Sequence, residues 1–186
     1  MAQCFDSRPT LVGATLTLRP LVEEDFEPLH AAASDPLLWE QHPQPTRWQR
    51  DVFRTAFFEG ALASGSAFVV LDNTRGEVIG SSRYYEWSPG TREVAIGFTF
   101  LARQYWGGSS NQEMKHMMLD HAFRWADTVW FHIGVSNWRS RRAMEKLGGR
   151  FSHEEAKTLF GIEHVNAFYR IDKPGNLPVR GDLVEN

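Results

Sequence analysis

Residues 98–123 read FTFLARQYWGGSSNQEMKHMMLDHAF, and they carry the strongest structural signal in the chain. An apolar, strand-like segment comes first, a glycine- and serine-rich turn follows at 105–111, and a helical segment opens at 112–115. A short turn of this kind lets backbone N–H groups converge on an anion, and the helix dipole adds positive potential. The stretch therefore predicts a site for phosphate or pyrophosphate, and hence a phosphorylated cofactor.

Hydrophobic periodicity on either side of this stretch predicts the remaining elements. Alternating apolar residues predict strands at about 15–21, 68–71, 77–85, 94–100, 129–135, 150–159 and 163–171. Apolar residues at helical spacing predict helices at about 23–33, 47–63, 112–125 and 137–147. The order is β–α–α–β–β–β–α–β–α–β–β. We predict an α/β (α+β) fold in which a mixed, mostly antiparallel central sheet of about seven strands is flanked by four helices.

Length and composition limit the class of protein. The 186 residues suit one domain, predicted at 1–172, followed by a C-terminal tail at 173–186 that contains two prolines and two glycines. The formal net charge of -3 argues against a nucleic-acid partner. Cys4 is the only cysteine, which excludes an intrachain disulfide and suits a reducing compartment. Neither a signal-peptide pattern nor a long apolar stretch is present, so we expect a cytoplasmic protein without a membrane partner.

Motifs for metal and nucleotide sites are missing. His116 and His121 are five residues apart, which places them on different faces of a helix, and no His-Glu-x-x-His occurs. The chain has neither a Walker lysine motif nor a Gly-x-Gly-x-x-Gly. We therefore predict no metal, no nucleotide hydrolysis and no Rossmann-type cofactor site.

Four local patterns, in order along the chain, resemble one enzyme superfamily. They are TLTLRPL at 15–21, AIGF at 95–98, Trp-Gly at 106–107 with Glu113, and Asn-x-x-Ser at 137–140 followed by Glu-Lys-Leu-Gly at 145–148. Together they resemble the GNAT superfamily of N-acetyltransferases, in particular the branch that contains ribosomal-protein N-terminal acetyltransferases. The resemblance covers about residues 16–171. Each pattern is weak alone, but four in this order are fairly specific.

The resemblance implies acetyl-CoA as a co-substrate, no metal, and direct transfer of the acetyl group to a primary amine in a ternary complex. The acceptor would be a protein N-terminus or a small molecule, and relatives are monomers or homodimers. The strand after Ala95 would separate from the next strand and offer its backbone to the pantetheine arm. The residues implied in cofactor binding are Thr99, Leu101, Trp106, Gly107, Gly108, Ser109, Ser110, Asn111, Gln112, Asn137 and Arg142.

Proton transfer and acceptor binding are assigned to a second set of residues. By resemblance Ser140 lies near the sulfur, which makes it the candidate acid for the departing thiolate. Glu93 lies two residues before Ala95, on the same strand face, and is the candidate base through a water molecule. The residues expected to wall the acceptor pocket are Tyr84, Tyr85, Trp87 and Trp39.

Several positions depart from the superfamily pattern and leave alternatives open. Ala95 and Met144 stand where many relatives have a glutamate and a tyrosine that handle protons. Ser109 and Asn111 replace small residues of the loop. One alternative is therefore a non-catalytic acyl-CoA-binding protein. Another is a serine hydrolase using Ser109, because Gly107-x-Ser109-x-Asn111 resembles an incomplete nucleophile elbow.

Overall fold

The predicted strands form and pair into one sheet. The computed structural model describes residues 4–159 and 162–175. The strands in these ranges are β1 (Leu11–Val12), β2 (Leu16–Pro20), β3 (Ala67–Asp72), β4 (Val78–Ser88), β5 (Glu93–Leu101), β6 (Thr128–Gly134), β7 (Arg150–Leu159) and β8 (Ile162–Asp172). They form one eight-stranded sheet in the order β1-β2-β3-β4-β5-β6-β8-β7. Among these strands only β5 and β6 run parallel, which confirms the predicted mixed, mostly antiparallel α/β fold.

The sheet differs from the prediction at its edge. It contains one strand more than the predicted seven, because the two-residue β1 pairs antiparallel with β2. Backbone pairing at a strand this short leaves little periodicity to detect. Residues 160 and 161, between the last two predicted strands, and most of the predicted tail, 176–186, lie outside the described residues.

Four helices cover the two faces of the sheet in the described part of the chain. They are α1 (Phe26–Ala33), α2 in three consecutive pieces (Arg50–Phe53, Arg54–Phe58 and Glu59–Ser64), α3 (Ser110–Ala122) and α4 (Trp138–Lys146). The middle piece of α2 is a π-helical turn in which the consecutive Phe57 and Phe58 are both buried. None of the described helices has the length and apolar character needed to cross a lipid bilayer.

Each face of the sheet has its own apolar core. Successive residues of a strand point to opposite faces. Phe68 of β3 therefore joins the core with Met114 of α3 and Met144 of α4, whereas Val69 joins the core with Phe53 of α2. The sheet is thus a central layer between α1 and α2 on one side and α3 and α4 on the other.

The start of α3 is tied to the sheet by Glu113. Its carboxylate accepts hydrogen bonds from the Thr15 backbone N–H at 2.8 Å and the Thr15 hydroxyl at 2.5 Å. Burial raises the pKa of Glu113, but the hydrogen bonds from Thr15 and Leu16 outweigh it and lower that pKa overall. Glu113 therefore fixes where α3 begins relative to β2.

Candidate active site

The parallel strands β5 and β6 separate after only a few residues. Their paired positions are Glu93 with Thr128, Val94 with Val129, and Ala95 with Trp130. From Ile96 onward β5 pairs with β4 alone. We call the gap between β5 and β6 beyond this point the cleft. Its edges carry backbone N–H and C=O groups that are free of a partner strand, as the sequence analysis expected.

A bulge in β5 lies directly beside the cleft. The β4–β5 register shifts between Ser81 and Arg83, and Phe98 adopts a left-handed backbone with φ of 51°. A bulky residue with positive φ is strained, and such strain concentrates at functional sites. The bulge turns the Phe98 side chain outward, where it is 41% exposed.

The glycine- and serine-rich turn leads to the N-terminus of α3. Gly107 has φ of 74°, in the region that favours glycine, and Gly107, Gly108 and Ser109 are all exposed. The Ser109 carbonyl accepts the Glu113 backbone N–H at 2.8 Å, so the first helical turn follows immediately. The N–H groups of Ser110, Asn111 and Gln112 precede the first intrahelical donor, which leaves them available to an anion.

Trp106 anchors this turn. Its indole N–H donates to the Leu101 carbonyl at 2.9 Å, and the Arg139 guanidinium lies 3.9 Å from the centre of its ring. Leu101 is predicted to contact the pantetheine arm, but its carbonyl accepts the Trp106 indole and its side chain is buried. Trp106 and Leu101 therefore support the loop.

Thr99 belongs to a hydrogen-bonded trio below the bulge. Its hydroxyl lies 2.8 Å from the Ser82 hydroxyl and 2.6 Å from Lys115 Nζ. Lys115 is 5% exposed, and its ammonium nitrogen lies 5.6 Å from the centre of the Phe131 ring on β6. The Lys115 amine thus lies between Thr99 on β5 and Phe131 on β6. Burial lowers the pKa of Lys115 to about 7.

The first turn of α4 contains the next two predicted residues. The Asn137 side-chain oxygen accepts the Ser140 backbone N–H at 3.1 Å, so Asn137 is the helix N-cap. Ser140 is half-buried, and its hydroxyl is not needed for the cap. Arg142 is exposed on the same helix. These residues follow β6 directly, at the end where it has separated from β5.

Glu93 and the two substituted positions are placed differently. Glu93 is half-buried at the start of β5, where it pairs with Ser88 of β4 and Thr128 of β6. Ala95 is 2% exposed. Met144 is 5% exposed and belongs to the core of the α3 and α4 side. The site of a tyrosine acid in many relatives is therefore filled here by an apolar core side chain.

The predicted acceptor residues divide between the two faces of the sheet. Tyr85 contacts Phe98, with ring centres 5.2 Å apart, and so lies beside the bulge. Trp39 is buried within the connection between α1 and α2, and its indole N–H donates to the Ala33 carbonyl at 2.8 Å. Tyr84 is 1% exposed, and its hydroxyl donates to the Met118 carbonyl at 2.7 Å.

Trp87 packs with Phe5 at 5.0 Å between ring centres, on the α3 side. Tyr84 and Trp87 thus contribute to the core of that side. Period two along β4 places Tyr85 opposite Tyr84, on the face toward α2. The register shift between Tyr85 and Ser88, where Glu86 has φ of 52°, returns Trp87 to the face of Tyr84.

Three cationic side chains are buried or half-buried against aromatic rings. They are Lys115, Arg47 and Arg83, which lie 5.6, 5.2 and 3.4 Å from the ring centres of Phe131, Trp39 and Phe98, respectively. A lone basic residue has no periodic pattern, so the sequence offers no signal for its burial. Among the described residues, no group of three or more histidine, cysteine, aspartate or glutamate side chains is arranged to hold a metal ion.

The architecture is shared with solved acetyltransferase structures. A GCN5-related N-acetyltransferase from Brucella melitensis is 20% identical, with a TM-score of 0.80 over 91% of this chain and 80% of that one. An acetyltransferase described as putative, from T. thermophilus, is 25% identical, with a TM-score of 0.72 over 88% of each chain. RimL, a ribosomal alpha-N-protein acetyltransferase solved in complex with coenzyme A, is 16% identical, with a TM-score of 0.71 over 88% of this chain and 98% of that one.

The sequence itself matches a family description. No curated protein matches the chain. The model described as an acetyltransferase (GNAT) domain matches residues 15–150, which is more than half of the chain. This match and the separated parallel strands agree with the resemblance found in the four sequence patterns. The chain belongs to the GNAT family of acetyltransferases.

Proposed function

We propose that this protein transfers an acetyl group from acetyl-CoA to a primary amine, either a protein N-terminus or a small molecule, by direct transfer in a ternary complex. The separation of β5 from β6 carries the proposal. It opens a slot in the sheet at which an extended pantetheine arm can pair with strand backbone, while the N-terminus of α3 lies at one end of the slot. RimL, which shares the fold, has been solved with coenzyme A.

The described residues fit the parts of acetyl-CoA. Backbone N–H groups from Gly107 to Gln112 would bind the pyrophosphate, and exposed Arg142 would meet a phosphate. Thr99 lies on the unpaired part of β5 and Asn137 at the end of β6, so the two flank the pantetheine arm. Acetyl-CoA brings the activated thioester, and the protein positions it against the amine.

Two side chains would handle protons. Glu93 would accept a proton from the attacking amine through a water molecule. Ser140 would donate its hydroxyl proton to the CoA sulfur as the carbon–sulfur bond breaks, and would regain a proton from solvent. The new bond joins the amine nitrogen to the acetyl carbon, so no acetyl-enzyme forms. Cys4, the sole thiol, is exposed near the N-terminus and outside the matched residues 15–150.

A second candidate function is binding of an acyl-CoA without catalysis. The burial of Met144 and the presence of Ala95 favour it, because the two positions often used for proton transfer are apolar here. The serine hydrolase gains no support. Ser109 is exposed, and within the described residues its side chain makes no hydrogen bond to a histidine.

Calorimetric titration with acetyl-CoA and CoA, using ATP and NAD as controls, tests the proposal. Selective binding of both CoA compounds, followed by acetylation in a panel of primary amines, is the expected result. Tight CoA binding with no turnover on the whole panel would favour the non-catalytic candidate. Absence of CoA binding would refute both.

A further inference from the structure

The connection between α1 and α2 carries a buried arginine that has no acidic partner among the described residues. Arg47 is 6% exposed. Its guanidinium carbon lies 5.2 Å from the centre of the Trp39 ring and 5.6 Å from that of Phe57 on α2. Aromatic rings stabilise a guanidinium, but they do not neutralise its charge. In the described part of the chain, no carboxylate pairs with this side chain.

A second guanidinium lies along the same face of α2. Arg83 of β4 pairs with Gly97 of β5, donates to the Gly60 carbonyl at 2.9 Å, and places its guanidinium carbon 3.4 Å from the centre of the Phe98 ring. Gly60 and Phe57 are three residues apart, so they share one face of the helix. The two cations are close enough to repel, and burial together with this repulsion lowers the pKa of Arg47 to about 10.

Both guanidinium groups have unused donors. The Nε atoms of Arg47 and Arg83 are buried and have no hydrogen-bond acceptor within the described structure. The acceptors that Arg47 does have are neutral: its Nη2 donates to the side-chain oxygen of Gln44. One buried and one half-buried cation, each with a buried Nε that lacks an acceptor, are unfavourable unless an anion compensates them.

A neutral histidine lies beside Arg47. The His42 Nδ1 accepts the Gln44 backbone N–H at 2.9 Å, and burial, then the charge of Arg47, lower the pKa of His42 to about 3. The ring is therefore uncharged, and its Nε2 lies 3.3 Å from Arg47 Nη1. His42 thus contributes no charge that compensates the guanidinium.

We propose that Arg47 and Arg83 bind an anionic group of the amine acceptor, a carboxylate or a phosphate, beside the reacting amine. The inference rests on the proposed function and specifies its substrate class. Arg83 lies opposite Gly97, on the same sheet face as Ala95 and Glu93, where the cleft begins. An anion held there lies close to the position of the attacking amine. Phe98, exposed at the bulge, provides an apolar surface beside it.

Direct anion binding tests the inference without any turnover. Inorganic phosphate and acetate are titrated calorimetrically into protein saturated with CoA, at constant ionic strength. The wild type is expected to bind at least one of them about 10- to 100-fold more tightly than Arg47→Met or Arg83→Met. Arg75→Met, at an exposed arginine on the β3–β4 turn, is the matched control and should bind like the wild type. Equal binding in all proteins, or none in the wild type, would overturn the proposal.

Pairs of amine acceptors with and without an anionic group distinguish a carboxylate from a phosphate as the bound anion. Acetylation is compared for β-alanine with β-alaninamide, and for O-phosphoethanolamine with ethanolamine. The wild type should prefer the anionic member of one pair by about 10- to 100-fold in kcat/KM. The preference should fall to within about 3-fold in either arginine variant, with the affinity for acetyl-CoA unchanged. An unchanged preference in the variants would overturn the proposal.

The experiments distinguish a failure of the proposed acetyl transfer from a failure of the proposed anion site. If CoA does not bind, the proposed function is refuted, and the phosphate titration is repeated on the free protein. Phosphate binding that depends on Arg47 and Arg83 would then still establish an anion site. Phosphate that binds only without CoA and equally in both variants belongs to the loop before α3, which would refute the arginine site. Arg83 is only half-buried, so Arg83→Met is expected to fold even if Arg47→Met is unstable.

Discussion

Lys115 shows how much a single side chain depends on its surroundings. Its amine contacts the hydroxyls of Thr99 and Ser82, and burial alone lowers its pKa from 10.5 to about 7. The titratable groups on the neighbouring elements are engaged elsewhere: Glu113 on α3 with Thr15, and Tyr84 on β4 with the Met118 carbonyl. Lys115 is thus a buried base with no acid beside it.

Replacing Lys115 by methionine should remove a pH dependence of stability. The folded protein binds fewer protons than the unfolded chain between about pH 7 and 10.5, so the wild-type free energy of unfolding rises with pH in that window. The full slope is about 1.4 kcal/mol per pH unit. Lys115→Met should lack this slope and be at least as stable at pH 7, because the two hydroxyls still bond to each other.

Urea unfolding from pH 6 to pH 9 measures this effect. Lys146→Met, at an exposed lysine of α4, is the control and should keep the wild-type slope. Parallel curves for the wild type and Lys115→Met would show that Lys115 stays protonated in the folded protein.

Ser140 illustrates a residue whose backbone and side chain have separate roles. Its N–H completes the cap with Asn137, and within the described part of the chain its hydroxyl makes no hydrogen bond. Under the proposed function, Ser140→Ala should lower kcat by roughly 10- to 100-fold and leave the affinity for acetyl-CoA within about 3-fold. Steady-state kinetics and calorimetry separate the two quantities, with Ser136→Ala as a control. Equal losses in both would indicate a structural role for Ser140.

At the scale of elements, the conformation of the loop before α3 depends more on Gly107 than on Gly108. Gly107 has φ of 74°, whereas Gly108 has an ordinary backbone, and a Cβ at either position would meet nothing within 4 Å. The two glycines therefore differ in conformation and not in available space.

Gly107→Ala is expected to lower the free energy of unfolding by about 1–2 kcal/mol, because a Cβ disfavours the left-handed region. Gly108→Ala should leave it within about 0.5 kcal/mol of the wild type. Chemical denaturation of both variants provides the comparison. Similar effects of the two substitutions would contradict the backbone argument.

At the scale of the whole molecule, the cleft interrupts strand pairing within the central sheet. This sheet separates the two cores. β5 and β6 pair only near their starts, and each face of the sheet packs its own core. A ligand that fills the gap would connect β5 to β6 along the rest of their length. Its binding should therefore stabilise the entire fold.

Acetyl-CoA at 100 times its dissociation constant should raise the free energy of unfolding by about 2.7 kcal/mol. For a chain of this size, that corresponds to an increase in Tm of roughly 5–11 °C. Thermal unfolding with increasing acetyl-CoA measures it, and ATP at equal concentration is the control. An equal increase with ATP would show only non-specific anion binding at the loop.

The sequence by itself determined the element order, the mixed sheet, the loop before α3 and the family. These are encoded locally, in period-two and helical patterns and in turn residues such as Gly107. The Asn-x-x-Ser pattern at 137–140 also placed Asn137 and Ser140 at the start of α4, since a cap depends on near neighbours along the chain.

Only the tertiary structure decided which side chains meet at the cleft. Arg47 and Arg83 come from separate elements and approach each other because α2 packs on β4. The burial of Lys115 and of Met144 depends on how helices cover the sheet. Contacts between residues distant in sequence have no periodic signature, so charge compensation and burial become visible only in the folded chain.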